Sequence, residues 1–269
     1  MAVLIAPATH ASVRTAGGVK YVTKKVPVEA VSGVTATASC PKATRVIGGG
    51  ERNGAGVGQI RLAQTFPYDD RDKGLKPDDG WRVRVVNVSS SKRNVRVGAV
   101  CGDARVKYVE QEFNVAATSQ TGQENATCPN DMFALSGGVE AGKNHPLYLN
   151  SSFPSDPSAT GATAWGTYVD NTGGASSATV HVMCSKRKPR ISRTTVSDIP
   201  PAAQGSVAPT CPARRIPFGG GQDNGAGYLG IRTNSLGPLG TAAWLAAVDN
   251  FGASPVDMGA YVVCGRPLN

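Results

Sequence analysis

Apolar and polar residues alternate at the end of three well-separated stretches of the chain. The apolar positions are Val95, Val97, Ala99 and Cys101, then Ala178, Val180, Val182 and Cys184, and finally Met258, Ala260, Val262 and Cys264. A period of two places each set on one face of a β-strand. The segment Trp81–Val85 alternates in the same way, with Arg82 and Arg84 on its outer face. Two shorter strands are predicted at Thr44–Ile47 and Ile60–Gln64.

These strands belong to a tandem repeat. Each copy begins with a Cys-Pro dipeptide, continues through consecutive glycines, one tryptophan and an asparagine six residues later, and closes on a second cysteine. The tryptophans and asparagines are Trp81, Trp165, Trp244, Asn87, Asn171 and Asn250. The period is about 85 residues, which indicates repeated structural units. After residues 1–11, the predicted modules are module one (12–102), module two (103–186) and module three (187–269).

Each module is predicted to contain four antiparallel strands, with a fifth in the lead-in sequence VKYV, present at Val19–Val22 and Val106–Val109. The repeated asparagine is predicted to form the turn between the last two strands. A four-stranded sheet cannot bury both faces, so the modules need partners. The fold class is therefore all-β, with two arrangements open. Three sheets face one another around a pseudo-threefold axis with the tryptophans at the centre, or three small sandwiches follow one another like beads. One tryptophan at a fixed strand position in each module favours the shared core.

Six cysteines are present, none of them in a CxxC pair. Because one cysteine opens each module's strands and the other closes them, the repeat predicts three bridges, namely Cys40–Cys101, Cys128–Cys184 and Cys211–Cys264. Each closes a loop of about 55–60 residues and would contribute about 4 kcal/mol in the chain-entropy model. Disulfides are typical of exported proteins. Residues 1–11 end in Thr9-His10-Ala11, as the end of a secretory signal would, so we expect an extracellular protein.

The module pattern Cys-Pro…Gly-Gly-Gly…Trp…Asn…Cys is similar to repeats in secreted proteins of actinobacteria. Three four-stranded sheets around one axis resemble the β-prism proteins, a group rich in sugar-binding lectins. The resemblance covers residues 40–264 and implies a prism-like fold and lectin-like binding. It carries over no ligand-binding residue, because Gln222, Asp223 and Asn224 are consecutive here rather than at alternating strand positions.

One glycine-rich stretch occurs twice, as GGGERNGAGVGQIR at Gly48–Arg61 and as GGGQDNGAGYLGIR at Gly219–Arg232. Neither copy has the terminal lysine and hydroxyl of a P-loop, and strand–turn–strand is the wrong context for a dinucleotide site. The stretch is interpreted as a structural turn whose glycines permit positive φ and close packing. The alternative is a shallow site for sugar hydroxyls or anions. Its candidate residues are Asn53 and Arg61 in module one, and Asp223, Asn224 and Arg232 in module three.

The formal net charge of +9 is unevenly distributed, at +9 for residues 1–102, −4 for 103–186 and +4 for 187–269. A basic end beside an acidic middle indicates attraction to anionic surfaces or head-to-tail contacts between copies, and the alternative is a solubilising charge with no partner. The segment Ser185–Arg190 (SKRKPR) reads either as a polyanion-binding patch or as an exposed linker. Aromatic residues are not interleaved with these cations, so we expect no specific nucleic-acid partner. No apolar run approaches the length of a membrane span, so none is expected.

No metal or catalytic site is predicted. Asp69, Asp70 and Asp72 could bind calcium, but interleaved cations and the missing EF-hand spacing favour a solvated loop with no cofactor. The three histidines, His10, His145 and His181, share no spacing with a nucleophile or with zinc ligands. The repeats keep cysteine, tryptophan, glycine and asparagine but no common acid or base, which is typical of a scaffold rather than an enzyme.

The sequence thus predicts a secreted, non-catalytic, lectin-like protein that recognises carbohydrate or an anionic cell-surface polymer. The alternative is a structural or protein-interaction component of an extracellular assembly, or an inhibitor of an enzyme. The ligand-site pattern is shared by modules one and three and is lost in module two, which leaves at most two such sites and favours the alternative.

Overall fold

A computed structural model describes residues 11–69, 77–141, 147–225 and 230–268. These residues form an all-β structure of three antiparallel sheets with six or seven strands each. None of the described residues belongs to a helix long and apolar enough to cross a membrane. The strands are β1 (Ala11–Ala16), β2 (Val19–Val28), β3 (Ser32–Ser39), β4 (Arg45–Asn53), β5 (Ile60–Tyr68), β6 (Gly80–Asn87), β7 (Arg93–Gly102), β8 (Lys107–Val115), β9 (Glu124–Thr127), β10 (Phe133–Ala141), β11 (Leu147–Ser155), β12 (Ala164–Asn171), β13 (Ser176–Ser185), β14 (Arg190–Ile199), β15 (Ala203–Val207), β16 (Ile216–Asp223), β17 (Ile231–Leu239), β18 (Ala243–Asn250) and β19 (Val256–Gly265).

Every sheet combines strands of two modules. The orders are β1-β2-β7-β4-β17-β18-β15, β3-β6-β5-β10-β13-β8 and β14-β19-β16-β11-β12-β9. Strand pairs within a module are long, whereas the three pairs that join modules are brief, at Leu236 with Glu51, Val139 with Thr65, and Ser152 with Gln222. The arrangement with one sheet per module is therefore wrong, because each module gives part of its strands to one sheet and the rest to another.

Module one has seven strands and the other two modules have six each, more than the four or five predicted. The unpredicted strands are β1 and β3 in module one, β9 in module two and β15 in module three. Ser32–Ser39 reads SGVTATAS, a run of small and hydroxyl side chains with little hydrophobic contrast. Its position is fixed by eight residue pairs with β6, the strand that carries Trp81. Pairing with a neighbour, rather than its own pattern, makes this segment a strand.

Each module folds its two half-sheets face to face, so that β2, β7 and β4 pack on β3, β6 and β5 in module one. All three tryptophans are fully buried in this interior. Trp81 lies against Gly49, and Trp165 and Trp244 lie against Gly137 and Gly220 in the same way. The indoles thus fill the interior of their own modules instead of a common centre. The three interiors nevertheless belong to one contiguous hydrophobic core.

The glycine triplet serves three different contacts, and it lies in strand β4 rather than in a turn. A Cβ on Gly48 would come within 2.0 Å of the carbonyl oxygen of Phe218, in the module-three strand β16. A Cβ on Gly49 would meet Trp81 at 2.2 Å, and one on Gly50 would meet the carbonyl oxygen of Leu236 at 2.0 Å. The predicted close packing is correct at the triplet, where none of the three glycines has positive φ. The predicted positive φ occurs elsewhere in the two stretches, at Gly58, Gly225 and Gly230.

The inner strands β5, β11 and β17, one from each module, contact one another. Each carries a register shift at the same place, at Ala63, Asn150 and Asn234. A bulge of this kind bends a strand and turns its side chains. The starts of these three strands therefore meet at one end of the molecule, which brings together side chains that are far apart in the sequence.

All three disulfides form as predicted, joining Cys40 to Cys101, Cys128 to Cys184 and Cys211 to Cys264. They lie at the opposite end of the strands from the turn asparagines. Three bridges in one chain are typical of proteins from an oxidising, extracellular environment.

The repeated asparagines close the hairpins as expected. Asn87 is fully buried and accepts a hydrogen bond from the Ser89 backbone N–H at 3.0 Å. Its Nδ2 donates to the carbonyls of Ser91 and Glu29. Asn171 and Asn250 form the same bonds in their modules. One side chain thus ties each turn to the neighbouring lead-in segment.

Candidate functional site

The two asparagines of the predicted ligand site are held within the protein. Nδ2 of Asn53 donates to Asn234 O at 2.9 Å, and its backbone N–H donates to Ser235 Oγ at 3.1 Å. Asn224 is buried, and its Nδ2 donates to Asn150 O at 2.8 Å. Both residues occupy the same place at the joint between two modules. Their amides therefore connect modules, and no ligand contact is needed to explain them.

Asp223 lies apart from the other predicted residues. Its Oδ1 accepts a hydrogen bond from the Gly225 N–H at 2.9 Å. Burial and, after it, the negative charge of Asp223 raise the pKa of Tyr168, which lies in β12, two strands away in the same sheet. Asp223 therefore acts on the outer face of the β11–β16 sheet, beside an aromatic group formed by Phe153, Tyr168 and Tyr261.

The two predicted arginines, in contrast, come together. The Cζ atom of Arg61 lies 5.4 Å from the ring centre of Tyr148, and that of Arg232 lies 4.7 Å from the same ring. Phe251 also contacts Arg232, with 5.7 Å between its ring centre and Cζ. These four residues, called the axial cluster below, combine side chains of all three modules. Tyr148 was not predicted as a site residue, although it occupies in SGGVEAGKNHPLYL the position that arginine holds in the other two modules.

Two grooves at the opposite, disulfide-bearing end are lined mainly by cations. The first has a volume of about 420 Å³, and its lining includes five cations and no acid, namely Arg187, Lys188, Arg190, Arg215 and Arg266. Leu135, Phe218 and Pro189 form its apolar surface. We call it the linker groove, because the predicted patch Ser185–Arg190 supplies three of the cations.

The cations of the linker groove are close enough to influence one another. Burial, followed by the positive charges of Arg190 and Arg266, lowers the pKa of Arg215. Arg215 donates to Cys264 O at 3.3 Å, and Lys188 lies 5.6 Å from the centre of the Phe133 ring. Among the residues for which the structure gives contacts, none of the five cations forms an ion pair with a carboxylate. This groove therefore concentrates positive charge that the protein does not neutralise.

A second basic groove adjoins the first and shares Arg187 with it. Its volume is about 760 Å³, and the other cations in its lining are Arg45, Arg105, Lys107 and Lys186, with Asp103 as the one acid. Arg45 is paired with Asp78 at 3.3 Å. The two grooves together present a continuous basic surface across the junction of all three modules.

His181 is the one histidine within the described ranges, since His10 and His145 lie outside them. It is buried in strand β13, with Nδ1 3.3 Å from Glu110 and Nε2 3.6 Å from Glu140. Burial alone would lower the pKa of His181, but the two carboxylates outweigh it and raise the pKa. Phe66 stacks on the imidazole at 5.5 Å between ring centres. The group resembles an internal charge cluster rather than a nucleophile and its base.

The calcium prediction falls largely outside the described part of the chain. Asp70 and Asp72 are not described, and only Asp69 is. Among residues 11–69, 77–141, 147–225 and 230–268, no group of three or more His, Cys, Asp or Glu side chains could hold a metal ion. Calcium at this loop therefore stays a prediction.

No family model matches the chain, and no curated protein matches it significantly.

Proposed function

We propose that this protein is a non-catalytic, secreted binding protein that recognises an anionic cell-surface polymer through its basic end. The observation that carries the proposal is the linker groove, whose lining includes five cations and no acid. The ligand class is a polymer with regularly spaced phosphate, sulfate or carboxylate groups, such as an acidic polysaccharide.

The shape of the basic end supports a polymer rather than a small anion. The two grooves are open, adjoin each other through Arg187 and together carry nine cations against one acid. A chain of anionic groups that crosses both grooves can pair with several cations at once. Release of the counterions of such a chain favours binding and makes it strongly dependent on salt.

The chemistry of the groove also suits sugar residues between the charged groups. Leu135, Phe218 and Pro189 offer apolar surface beside the guanidinium groups. Arginine forms two parallel hydrogen bonds with carboxylate, phosphate or sulfate, which gives orientation as well as attraction. An acidic polysaccharide presents both kinds of surface.

We further propose that the three modules close around a pseudo-threefold axis, as the prism-like arrangement requires and separate beads would not. The support is that the same brief strand pairing occurs at three junctions and that β5, β11 and β17 contact one another. A closed arrangement fixes the two basic grooves relative to each other, and it explains how three modules provide one binding surface.

Binding of the oxidised protein to immobilised polymers tests the proposal. The polymers are a poly(glycerol phosphate), a sulfated polysaccharide and a polyuronate, with neutral dextran as the reference, each at about 0.02 M and about 0.15 M salt. We expect binding to the anionic polymers that weakens with salt, and none to dextran. Arg215→Ser combined with Arg266→Ser should weaken it about tenfold or more at the lower salt.

The matched control removes two charges elsewhere. Lys25 and Arg96 are exposed cross-strand partners in module one, outside both grooves. Lys25→Ser combined with Arg96→Ser should reduce binding much less than the groove variant. Equal losses in both variants would show that net charge alone attracts the polymer, and absent binding at both salt concentrations would overturn the proposal.

A further inference from the structure

The axial cluster lies at the end of the molecule opposite the basic grooves. Strand β16 runs between them, with Arg215 just before its first residue and Asn224 just after its last. At about 3.3 Å per residue the two ends are separated by roughly 25 Å. The cluster can therefore bind a ligand of its own, independently of a polymer at the basic end.

The two guanidinium groups of the axial cluster each have an Nε atom without an acceptor among the described residues. The Nε atoms of Arg61 and Arg232 are shielded from solvent, and neither has a hydrogen-bond partner among the described residues. Neither arginine forms an ion pair there, and their recorded contacts are with the aromatic rings of Tyr148 and Phe251. A guanidinium has five N–H donors, and buried donors without acceptors cost free energy.

Charge repulsion adds to this cost. Burial, followed by the positive charge of Arg61, lowers the pKa of Arg232, while Tyr148 and Asp170 oppose that shift. Asp170 is buried behind the cluster, where its Oδ1 accepts a hydrogen bond from Gln120 Nε2 at 3.1 Å. It moderates the positive charge without pairing with either guanidinium. The cluster is thus a site where two like charges are held together on an aromatic platform.

We propose that Arg61 and Arg232 form one binding site for a small oxyanion, with Tyr148 as the platform on which both guanidinium groups rest. The ligand is a carboxylate, phosphate or sulfate group. Such a group accepts several hydrogen bonds at once and would neutralise the repulsion between the two arginines. The site exists only in the assembled protein, because Arg61, Tyr148 and Arg232 come from modules one, two and three.

Titration with inorganic sulfate, inorganic phosphate and acetate, followed by the arginine Nε–Hε signals in ¹H–¹⁵N NMR spectra, tests the proposal. Shielded Nε–H groups exchange slowly enough with water to be observed. Two signals should shift together and saturate, and Arg61→Met and Arg232→Met identify them by the loss of one signal each. Each of these variants should weaken the apparent affinity for the preferred anion about tenfold or more.

Three further variants test the donor geometry, the aromatic platform and the independence of this site from the basic end. Arg61→Lys keeps the charge but not the fork of donors, so it should weaken binding even if Arg61→Met fails to fold. Tyr148→Leu should weaken binding by removing the platform. Arg266→Ser at the basic end should leave the axial signals unchanged, which separates this site from the polymer surface. Shifts that do not saturate, or saturable shifts with unchanged affinity in both arginine variants, would overturn the proposal.

Discussion

Glu51 is fully buried at the joint between modules one and three, and it offers the sharpest test of the packing. Its Oε1 accepts a hydrogen bond from Asn53 Nδ2 at 3.1 Å, whereas Oε2 has no partner among the described residues. The same position in module three is Gln222, whose Nε2 donates to Asn150 O at 2.5 Å. Replacing Glu51 by glutamine therefore gives the first joint the side chain that the protein already uses at another.

The expected change in the free energy of unfolding follows from the cost of burying a carboxylate. Burial is the largest cause that raises the pKa of Glu51, from 4.5 to about 8. In the unfolded chain this group is ionised at pH 7, whereas in the folded protein it keeps its proton. At about 1.4 kcal/mol per pH unit, over about 2.5 units, it costs about 3 kcal/mol of stability at that pH. Because the folded pKa is raised, the cost is absent below pH 4.5, grows as the pH rises and levels off above about 8.

This pH-dependent cost can be measured by urea unfolding. The oxidised wild type and the Glu51→Gln variant are compared at several pH values between 4 and 9. The two proteins should have similar free energies of unfolding near pH 4, and the variant should be about 3 kcal/mol more stable at pH 7. Gln222→Glu should introduce the same pH dependence at the other joint. Glu29→Gln is the control, because Glu29 is exposed and pairs with Lys92 at the surface. A pH-independent difference between wild type and Glu51→Gln would refute the reasoning.

Three other substitutions test the interior. Gly49→Ala places a methyl group 2.2 Å from the Trp81 ring and should cost about 3 kcal/mol or more in thermal or urea unfolding, whereas Gly54→Ala meets no atom within 4 Å and should change little. Thr65→Val keeps the shape but removes the acceptor 2.7 Å from Trp81 Nε1, so it should cost about 1–2 kcal/mol in urea unfolding; an unchanged midpoint would contradict this hydrogen bond. The raised pKa of His181 predicts stability that is present below pH 6.5 and lost as the pH rises through the folded pKa. His181→Gln should abolish that part of the pH profile, and a parallel profile would argue against the charge cluster.

Much of the local structure was predictable because its signals are local. Alternation identified the strands that end at Cys101, Cys184 and Cys264, and the repeat alone selected the disulfide pairs. The hairpin role of Asn87 followed from its place between two strands. In each case neighbouring residues in the chain determine the outcome, through side-chain period or turn chemistry. Strand β3 was not predicted, because its small residues show no alternation of hydrophobic and polar side chains.

The exchange of strands between modules was decided by the tertiary structure. The sequence shows three similar modules, but it does not show whether the free edge of β4 pairs within its own module or with β17 of module three. That choice depends on how closely two backbones can approach, and the missing side chain of Gly50 permits the approach at Leu236. The sequence shows where the glycines are. Only the assembled sheets show which backbone or side-chain group each glycine contacts.

The candidate sites also combine features that the sequence determines with features that only the tertiary structure decides. The sequence by itself determined the repeat, the strands, the disulfides and the excess of positive charge, because these depend on composition and on residues near one another in the chain. The meeting of Arg61 and Arg232 on Tyr148, and of Arg187, Arg215 and Arg266 in one groove, was decided only by the tertiary structure. Those side chains come from strands and linkers far apart in the sequence, and only the pairing of sheet edges between modules brings them within reach of one ligand.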